Sequence, residues 1–229
     1  MTIGGLQKIT LTDFPGRLAA VLFTRGCNFR CPYCHNPELV DPRCYAEPIP
    51  DEEVFAFLEN RIERLDGIVV TGGEPTVHPD LPELLHRIRR LGFSIKLDTN
   101  GTNPDLVGQL IKAKMLDYIA IDIKCAPDSY SRVAGVRVDA NAICECVEMT
   151  ISSGLPHELR MTFVEPLVSM EEIPGVAEFA RGCKLFLVQP FQPSKALDPS
   201  LLRLQRPPVE RLEQVCLMLQ SLGIPATLR

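Results

Sequence analysis

Cys27, Cys31 and Cys34 fall within eight residues, spaced C-x3-C-x2-C, in the stretch Thr24-Arg-Gly-Cys27-Asn-Phe-Arg-Cys31-Pro-Tyr33-Cys34-His35-Asn36. Three thiolates on one short loop can converge on one inorganic centre, and thiolate is the soft ligand that iron–sulfur clusters and zinc prefer. A [4Fe-4S] cluster usually takes four cysteines. With three, one iron keeps an open position where a small molecule can chelate. Other readings compete. A zinc site would draw its fourth ligand from His35 or Cys44. His35 is adjacent to Cys34, which favours a ring pointing away. Cys31-Pro-Tyr-Cys34 is also a C-x-x-C motif of the glutaredoxin kind, although such domains are shorter and need no counterpart of Cys27. Three unrelated core cysteines are a poor fit to so polar a loop.

Further chemistry-bearing residues follow other apolar runs. Thr71-Gly72-Gly73-Glu74-Pro75 places a carboxylate beside bare backbone that can approach a ligand closely or simply turn. Asp98-Thr99-Asn100-Gly101 ends in a turn signal, with Asp98 at the tip of its run. Asp122 and Lys124 alternate with Ile123 and so share one face of a strand. Two opposite charges on an inward face either bind something or pair with each other. Arg160 lies inside a further run. Facing inward, it can grip a carboxylate bidentately; facing outward, it is merely solvated.

These residues need elements to position them. Six runs have strand length and composition: Leu18–Thr24, Gly67–Thr71, Phe93–Asp98, Asp117–Asp122, Leu159–Val164 and Lys184–Gln189. Helical patterns alternate with them over Asp51–Leu65, Leu81–Leu91, Asp105–Met115, Ala140–Ser153, Glu171–Arg181 and Pro208–Leu222. Six βα units with short connections predict an α/β fold with a parallel sheet and right-handed crossovers. Six falls short of the eight of a closed barrel. A partial (β/α)6 barrel, an open parallel sheet with outer helices, is the expected fold, and a doubly wound sheet the alternative. Both place chemistry at the C-terminal ends of strands, where the residues above lie.

Composition sets the frame. The chain has 229 residues, 45% hydrophobic and 23% charged, enough for a sizeable core in a single domain over residues 1–229. A net charge of −5 gives no basic footprint for nucleic acid. No run approaches the ~20 apolar residues of a membrane span, and no secretory leader is legible, so a cytoplasmic setting is expected. Nine cysteines, an odd number, argue against a disulfide framework. Cys144 and Cys146 sit two apart in a helical pattern, where side chains face away from each other. Cys44, Cys125, Cys144, Cys146, Cys183 and Cys216 are therefore expected to be structural, with one cluster in all.

The cysteine loop, with an aromatic residue before its last cysteine, resembles the radical S-adenosylmethionine (SAM) superfamily. The longer pattern Asp13-Phe-Pro-Gly-Arg17, then Gly26-Cys27 through Cys34-His35-Asn36-Pro37, resembles the activating enzymes of glycyl radical enzymes, notably those of anaerobic ribonucleoside-triphosphate reductase and pyruvate formate-lyase. The resemblance implies that Cys27, Cys31 and Cys34 hold a [4Fe-4S] cluster whose open iron is chelated by SAM. A reduced cluster would cleave SAM to a 5′-deoxyadenosyl radical, which takes a hydrogen atom from a glycine of a partner enzyme. It implies that Gly72, Gly73 and Glu74 meet the SAM amino group, that Lys124 holds its carboxylate, that Tyr33 contacts the adenine chiefly through its backbone, and that Asn36 belongs to the SAM shell. It implies that Asp98, Thr99 and Asp122 form a shell for SAM or a monovalent cation. The implied partners are a glycyl radical enzyme, foremost the anaerobic ribonucleotide reductase, and a flavodoxin or ferredoxin-type electron donor. An open barrel would admit a loop of the partner. The alternatives are a radical SAM enzyme acting on a small molecule or nucleobase, in the manner of a carboxy-deazaguanine synthase, and a zinc or iron–sulfur binding module without catalysis.

Overall fold

The computed structural model describes residues 1–229. All six expected strands form, as β2 (Ala19–Thr24), β3 (Gly67–Gly72), β4 (Ser94–Thr99), β5 (Tyr118–Asp122), β6 (His157–Phe163) and β7 (Phe186–Pro190). Two more flank them, β1 (Ile3–Thr10) and β8 (Ala226–Leu228), giving one eight-stranded sheet. The spatial order is the chain order, β1 to β8. A doubly wound sheet would reverse direction partway, so the order settles the architecture as a partial barrel. Strands β2 to β8 run parallel, and β1 pairs antiparallel with β2.

The two unexpected strands lack a pattern. β1 carries two glycines and an exposed Gln7-Lys8-Ile9 stretch, so it shows no alternation. β8 has three residues, too few for a period to show.

The outer helices are α1 (Pro37–Val40), α2 (Asp51–Glu59), α3 (Leu81–Arg90), α4 (Pro104–Lys112), α5 (Tyr130–Ala134), α6 (Ala140–Ser152), α7 (Ile173–Ala180) and α8 (Val209–Ser221). α2 stops well before Leu65, because the chain turns at Glu63, whose φ is +64°. α7 starts later than its periodicity suggests. Met170–Glu172 form a 3-10 turn, closed by a Ser169–Glu172 capping box, ahead of Pro174 in the first helical turn.

Most of the core lies between sheet and helices and includes Leu22, Ile68, Leu85, Ile95, Ile119, Leu159 and Phe186. A smaller cluster of Phe14, Ala19, Val21 and Val69 packs apart from it, with Tyr118 against it. Phe14 belongs to the β1–β2 connection and lies so close to Gly67 that a Cβ there would sit 2.8 Å from its ring. Opposite ends of the sheet meet through a side chain. Arg229 beyond β8 donates to Asp13 Oδ1 and to the Thr12 carbonyl, both at 3.1 Å.

No helix is long and apolar enough to cross a membrane.

Candidate functional site

The C-terminal ends of the strands surround a cavity of about 510 Å³. Every site residue singled out from sequence lines it: Cys27, Cys31, Tyr33, Cys34 and Asn36 from the loop after β2; Gly72 at the end of β3 with Gly73 and Glu74 after it; Asp98 and Thr99 at the tip of β4; Asp122 at the end of β5 with Lys124 just beyond it; and Arg160 from β6.

The cysteine loop has no regular structure of its own and is tied to five neighbours. Gly26 N donates to Leu39 O at 2.7 Å, Arg30 N to Ala134 O at 2.8 Å, and Glu74 N to Gly26 O at 2.8 Å. Asp198 N reaches Pro32 O at 2.8 Å. Asn28 donates to Thr102 Oγ1 and accepts from Asn100 Nδ2, each at 2.8 Å. Pinning an irregular loop from several sides holds the three sulfurs in fixed places.

Burial pushes the Cys27 thiol up to about 12, with Glu74 adding to it, and pushes Cys31 up to about 11 against the opposing pull of Lys124. Cys34 is raised for the same reason. The pocket alone therefore keeps these thiols protonated, and a bound metal centre has to displace the protons. No three His, Cys, Asp or Glu side chains in the chain close on a single-ion point. All three thiols line the same cavity. His35 stacks on Phe191 at 5.6 Å, and its Nε2 accepts from Gln192 N at 3.4 Å, so its ring is committed away from the sulfurs. Cys44 is exposed and outside the cavity lining. Of the other cysteines, Cys125, Cys146, Cys183 and Cys216 are buried and Cys144 is half-buried.

The glycine pair serves the protein's own packing. Gly72 has φ +115°, and a Cβ on it would lie 2.4 Å from Thr24 N. Glu74 is 1% exposed. Its carboxylate accepts four hydrogen bonds: from Thr76 N and Oγ1 at 3.1 and 2.5 Å, from Thr99 Oγ1 at 2.6 Å and from Asn100 N at 2.7 Å. Glu74 thus ties the ends of β3 and β4 together, and Asn100 passes the constraint to Asn28 in the cysteine loop. The Thr99 hydroxyl is engaged on both sides, donating to Glu74 and accepting from Gly101 N at 3.1 Å.

Arg160 faces inward. It donates to Asp98 Oδ2 at 3.0 Å through Nη1 and to Asp122 Oδ1 at 2.9 Å through Nε. Lys124 pairs with Asp122 at 3.3 Å. Sequence reasoning missed the rest of this chain of charges. Lys96 is fully buried, with Nζ 2.8 Å from Asp98 Oδ1 and 3.3 Å from Glu158 Oε1. Tyr118 donates to Glu158 at 3.2 Å. Burial is the largest single influence at Asp98 and Asp122 and opposes their ionisation, but the cations together outweigh it: Arg160 with Lys96 at the first, Arg160 with Lys124 at the second. Both carboxyls are held below their usual range. The signal was present: Lys96-x-Asp98 and Glu158-x-Arg160 have the same two-residue spacing as Asp122-x-Lys124. Asp13 and Arg229 also line the cavity and were not expected there.

Tyr33 is 5% exposed and belongs to the core while also lining the cavity. Asn36 precedes α1, with a side chain free of any capping bond.

Residues 21–180 match the radical SAM superfamily. The chain belongs to that superfamily. Membership implies a [4Fe-4S] cluster and SAM, and the donor set on the cavity wall fits both. A protein of Methanocaldococcus jannaschii, provisionally named a glycyl-radical enzyme activating enzyme, is 34% identical over 220 residues, covering 93% of this chain and 89% of that one. The 7-carboxy-7-deazaguanine synthase of Methanopyrus kandleri is 32% identical over 130 residues, covering 48% and 51%. A domain of the pyruvate-formate lyase-activating enzyme of Bacteroides vulgatus shares the radical SAM fold at a TM-score of 0.58 and 21% identity, covering 71% of this chain and 98% of that one.

Proposed function

We propose that this radical SAM enzyme activates a glycyl radical enzyme, with an anaerobic ribonucleotide reductase as the first partner to test. One observation carries the reading toward a protein substrate. The cavity is lined at once by the cysteine loop, by Lys124 and by Asp13 and Arg229. The last two come from opposite ends of the sheet, where the Arg229 side chain reaches Asp13 and the Thr12 carbonyl and no strand pairing joins β1 to β8. That side is spanned by one side chain rather than a strand ladder, so a loop bearing a glycine can enter where a closed barrel would block it. The likeness to the Methanocaldococcus protein, over nearly the whole chain, supports the same reading.

Cys27, Cys31 and Cys34 would hold the cluster. When bound and reduced, it supplies the electron that cleaves SAM, so that the adenosyl fragment can take hydrogen from glycine. The protein's part is placement. The backbone of Gly72 and Gly73 would meet the amino end of SAM and Lys124 its carboxylate. Tyr33, through its backbone, would meet the adenine, and Asn36 would belong to the surrounding shell. Arg160 acts through Asp122, fixing the carboxylate beside Lys124. The electron would come from a flavodoxin or a ferredoxin-type protein.

The test is anaerobic reconstitution with iron and sulfide, then SAM and dithionite, with Cys27→Ala as control. Wild type should form 5′-deoxyadenosine and the variant none. Addition of the reductase should produce an organic radical signal that glycine deuteration alters. SAM cleavage without any radical on a glycyl radical enzyme would sink the proposal and turn attention to small-molecule substrates.

A further inference from the structure

The resemblance drawn from sequence brings a monovalent cation to Asp98, Thr99 and Asp122. In the structure both oxygens of each aspartate already face a cationic side chain. Asp98 Oδ1 faces Lys96 Nζ at 2.8 Å, and Oδ2 faces Arg160 at 3.0 Å. Asp122 Oδ1 faces Arg160 at 2.9 Å, and Oδ2 faces Lys124 at 3.3 Å. The Thr99 hydroxyl is taken by Glu74 and Gly101 N. A further carboxylate, Glu158, closes the far end on Lys96.

Charge accounting agrees. Three cations, Lys96, Lys124 and Arg160, alternate with three carboxylates, Glu158, Asp98 and Asp122, across β4, β5 and β6. The chain of pairs is neutral. An added ion would either displace an ammonium from hydrogen-bonding distance or leave a net positive charge buried, and both are costly. Lys96 starts on the inner face two residues before Asp98 and reaches across Ala120, the register partner of both Asp98 and Glu158.

We infer that the ammonium of Lys96, with the guanidinium of Arg160, is this protein's built-in counter-cation for the carboxylates beside the SAM site, so that the enzyme neither binds nor needs a monovalent metal ion there. Lys96 is a positioning residue: it fixes Asp98, which with Asp122 clamps Arg160 and thereby the carboxylate next to Lys124. The inference concerns the ion-pair chain and holds whatever substrate receives the radical.

The test reads the protein without its cluster, so it is separate from activation. Thermal midpoints of the full chain are measured in potassium, sodium and choline chloride at equal ionic strength. A cation site filled far above its Kd would raise the midpoint by roughly 5 °C or more. Wild type should show less than about 1 °C between the salts. The reconstituted protein should bind SAM with affinities within about twofold across them. Lys96→Met should melt lower in choline and recover part of the loss in potassium or sodium, saturably. A saturable rise of several degrees for wild type in either metal salt overturns the inference, and so does a folded Lys96→Met with no response to the ion. If Lys96→Met does not fold, the wild-type comparison decides alone.

Discussion

The carbonyl oxygen of Gly26 stands 1.9 Å from the point where a Cβ on Gly73 would be. No side chain fits there, and the same carbonyl accepts the Glu74 N–H at 2.8 Å. Gly26 immediately precedes Cys27, so the end of β3 is a seat for the cysteine loop. Gly73→Ala has to push that loop away from the sheet, because the obstacle is backbone and cannot rotate aside. The expected result is a folded protein destabilised by about 2–4 kcal/mol that retains only a small fraction of the iron wild type takes up. Iron content and thermal midpoint, measured on the same reconstituted samples, check it. Full iron loading would show that the loop tolerates displacement.

Arg160 supports two carboxylates at once, the buried Asp98 and the partly exposed Asp122. In Arg160→Met, Asp98 keeps Lys96, Asp122 keeps Lys124, and the two carboxylates lose the cation between them. Breaking a buried pair from one side costs about 3–5 kcal/mol, which for a chain of this size is roughly a 10 °C fall in midpoint. The pH response should also change sign. In wild type, Asp98 and Asp122 are held below their usual range. Their contribution is present above the unfolded carboxyl pKa of 3.8 and is lost as pH falls through the depressed folded values. In the variant, burial and mutual repulsion raise both carboxyls, so the folded state binds protons more readily than the unfolded one. Stability should then rise as pH is lowered from 7 toward 5. Thermal melts across that range decide between the two signs.

The order of elements was legible because six apolar runs alternate with six amphipathic ones, and every functional residue named in advance sits at a strand end or on an inward face. What escaped was pairing across strands. Asp122 and Lys124 show as a same-face pair within one strand. That Arg160 would grip Asp98 and Asp122 together depends on the register of β4, β5 and β6, which periodicity does not encode. The internal bonding of Glu74 stayed hidden for a related reason. A carboxylate after two glycines looks available, yet its four donors come from residues up to 26 positions away. β1 and β8 lack pattern through exposure and shortness.

The cysteines divide sharply by position. Cys27, Cys31 and Cys34 line the cavity, whereas Cys44 is exposed on the turn after α1 and Cys144 lies on α6, away from it. Alanine at any of the first three should abolish the cluster chromophore and SAM cleavage. Cys44→Ala and Cys144→Ala should leave both at wild-type levels, with stability changed by less than about 0.5 kcal/mol at the exposed Cys44. Iron-to-protein ratios near four in wild type and in these two variants would agree with one cluster. A drop to a lower ratio in Cys44→Ala would reveal a second centre.

Ala120 is the register partner of both Asp98 on β4 and Glu158 on β6, and Lys96 spans β5 beside it, its Nζ 5.7 Å from the centre of the Tyr118 ring and 3.3 Å from Glu158. A larger inward side chain at this position occupies the path of the ammonium. Ala120→Leu should therefore cost more than ordinary overpacking, which runs at about 1–3 kcal/mol, because it also parts Glu158 from Lys96 and leaves it with Tyr118 at 3.2 Å and the more distant Arg160 at 3.7 Å. Ala120→Gly, which leaves the path open, should cost only the ~1 kcal/mol of a flexible residue in a strand. The comparison separates the two effects. If the leucine and glycine variants melt within about 2 °C of each other, Lys96 does not depend on that gap. If the leucine variant falls much further and Ala120→Leu/Glu158→Gln recovers part of the loss, the cost belongs to the stranded carboxylate, and the gap over β5 is what allows three strands to share one neutral line of charge.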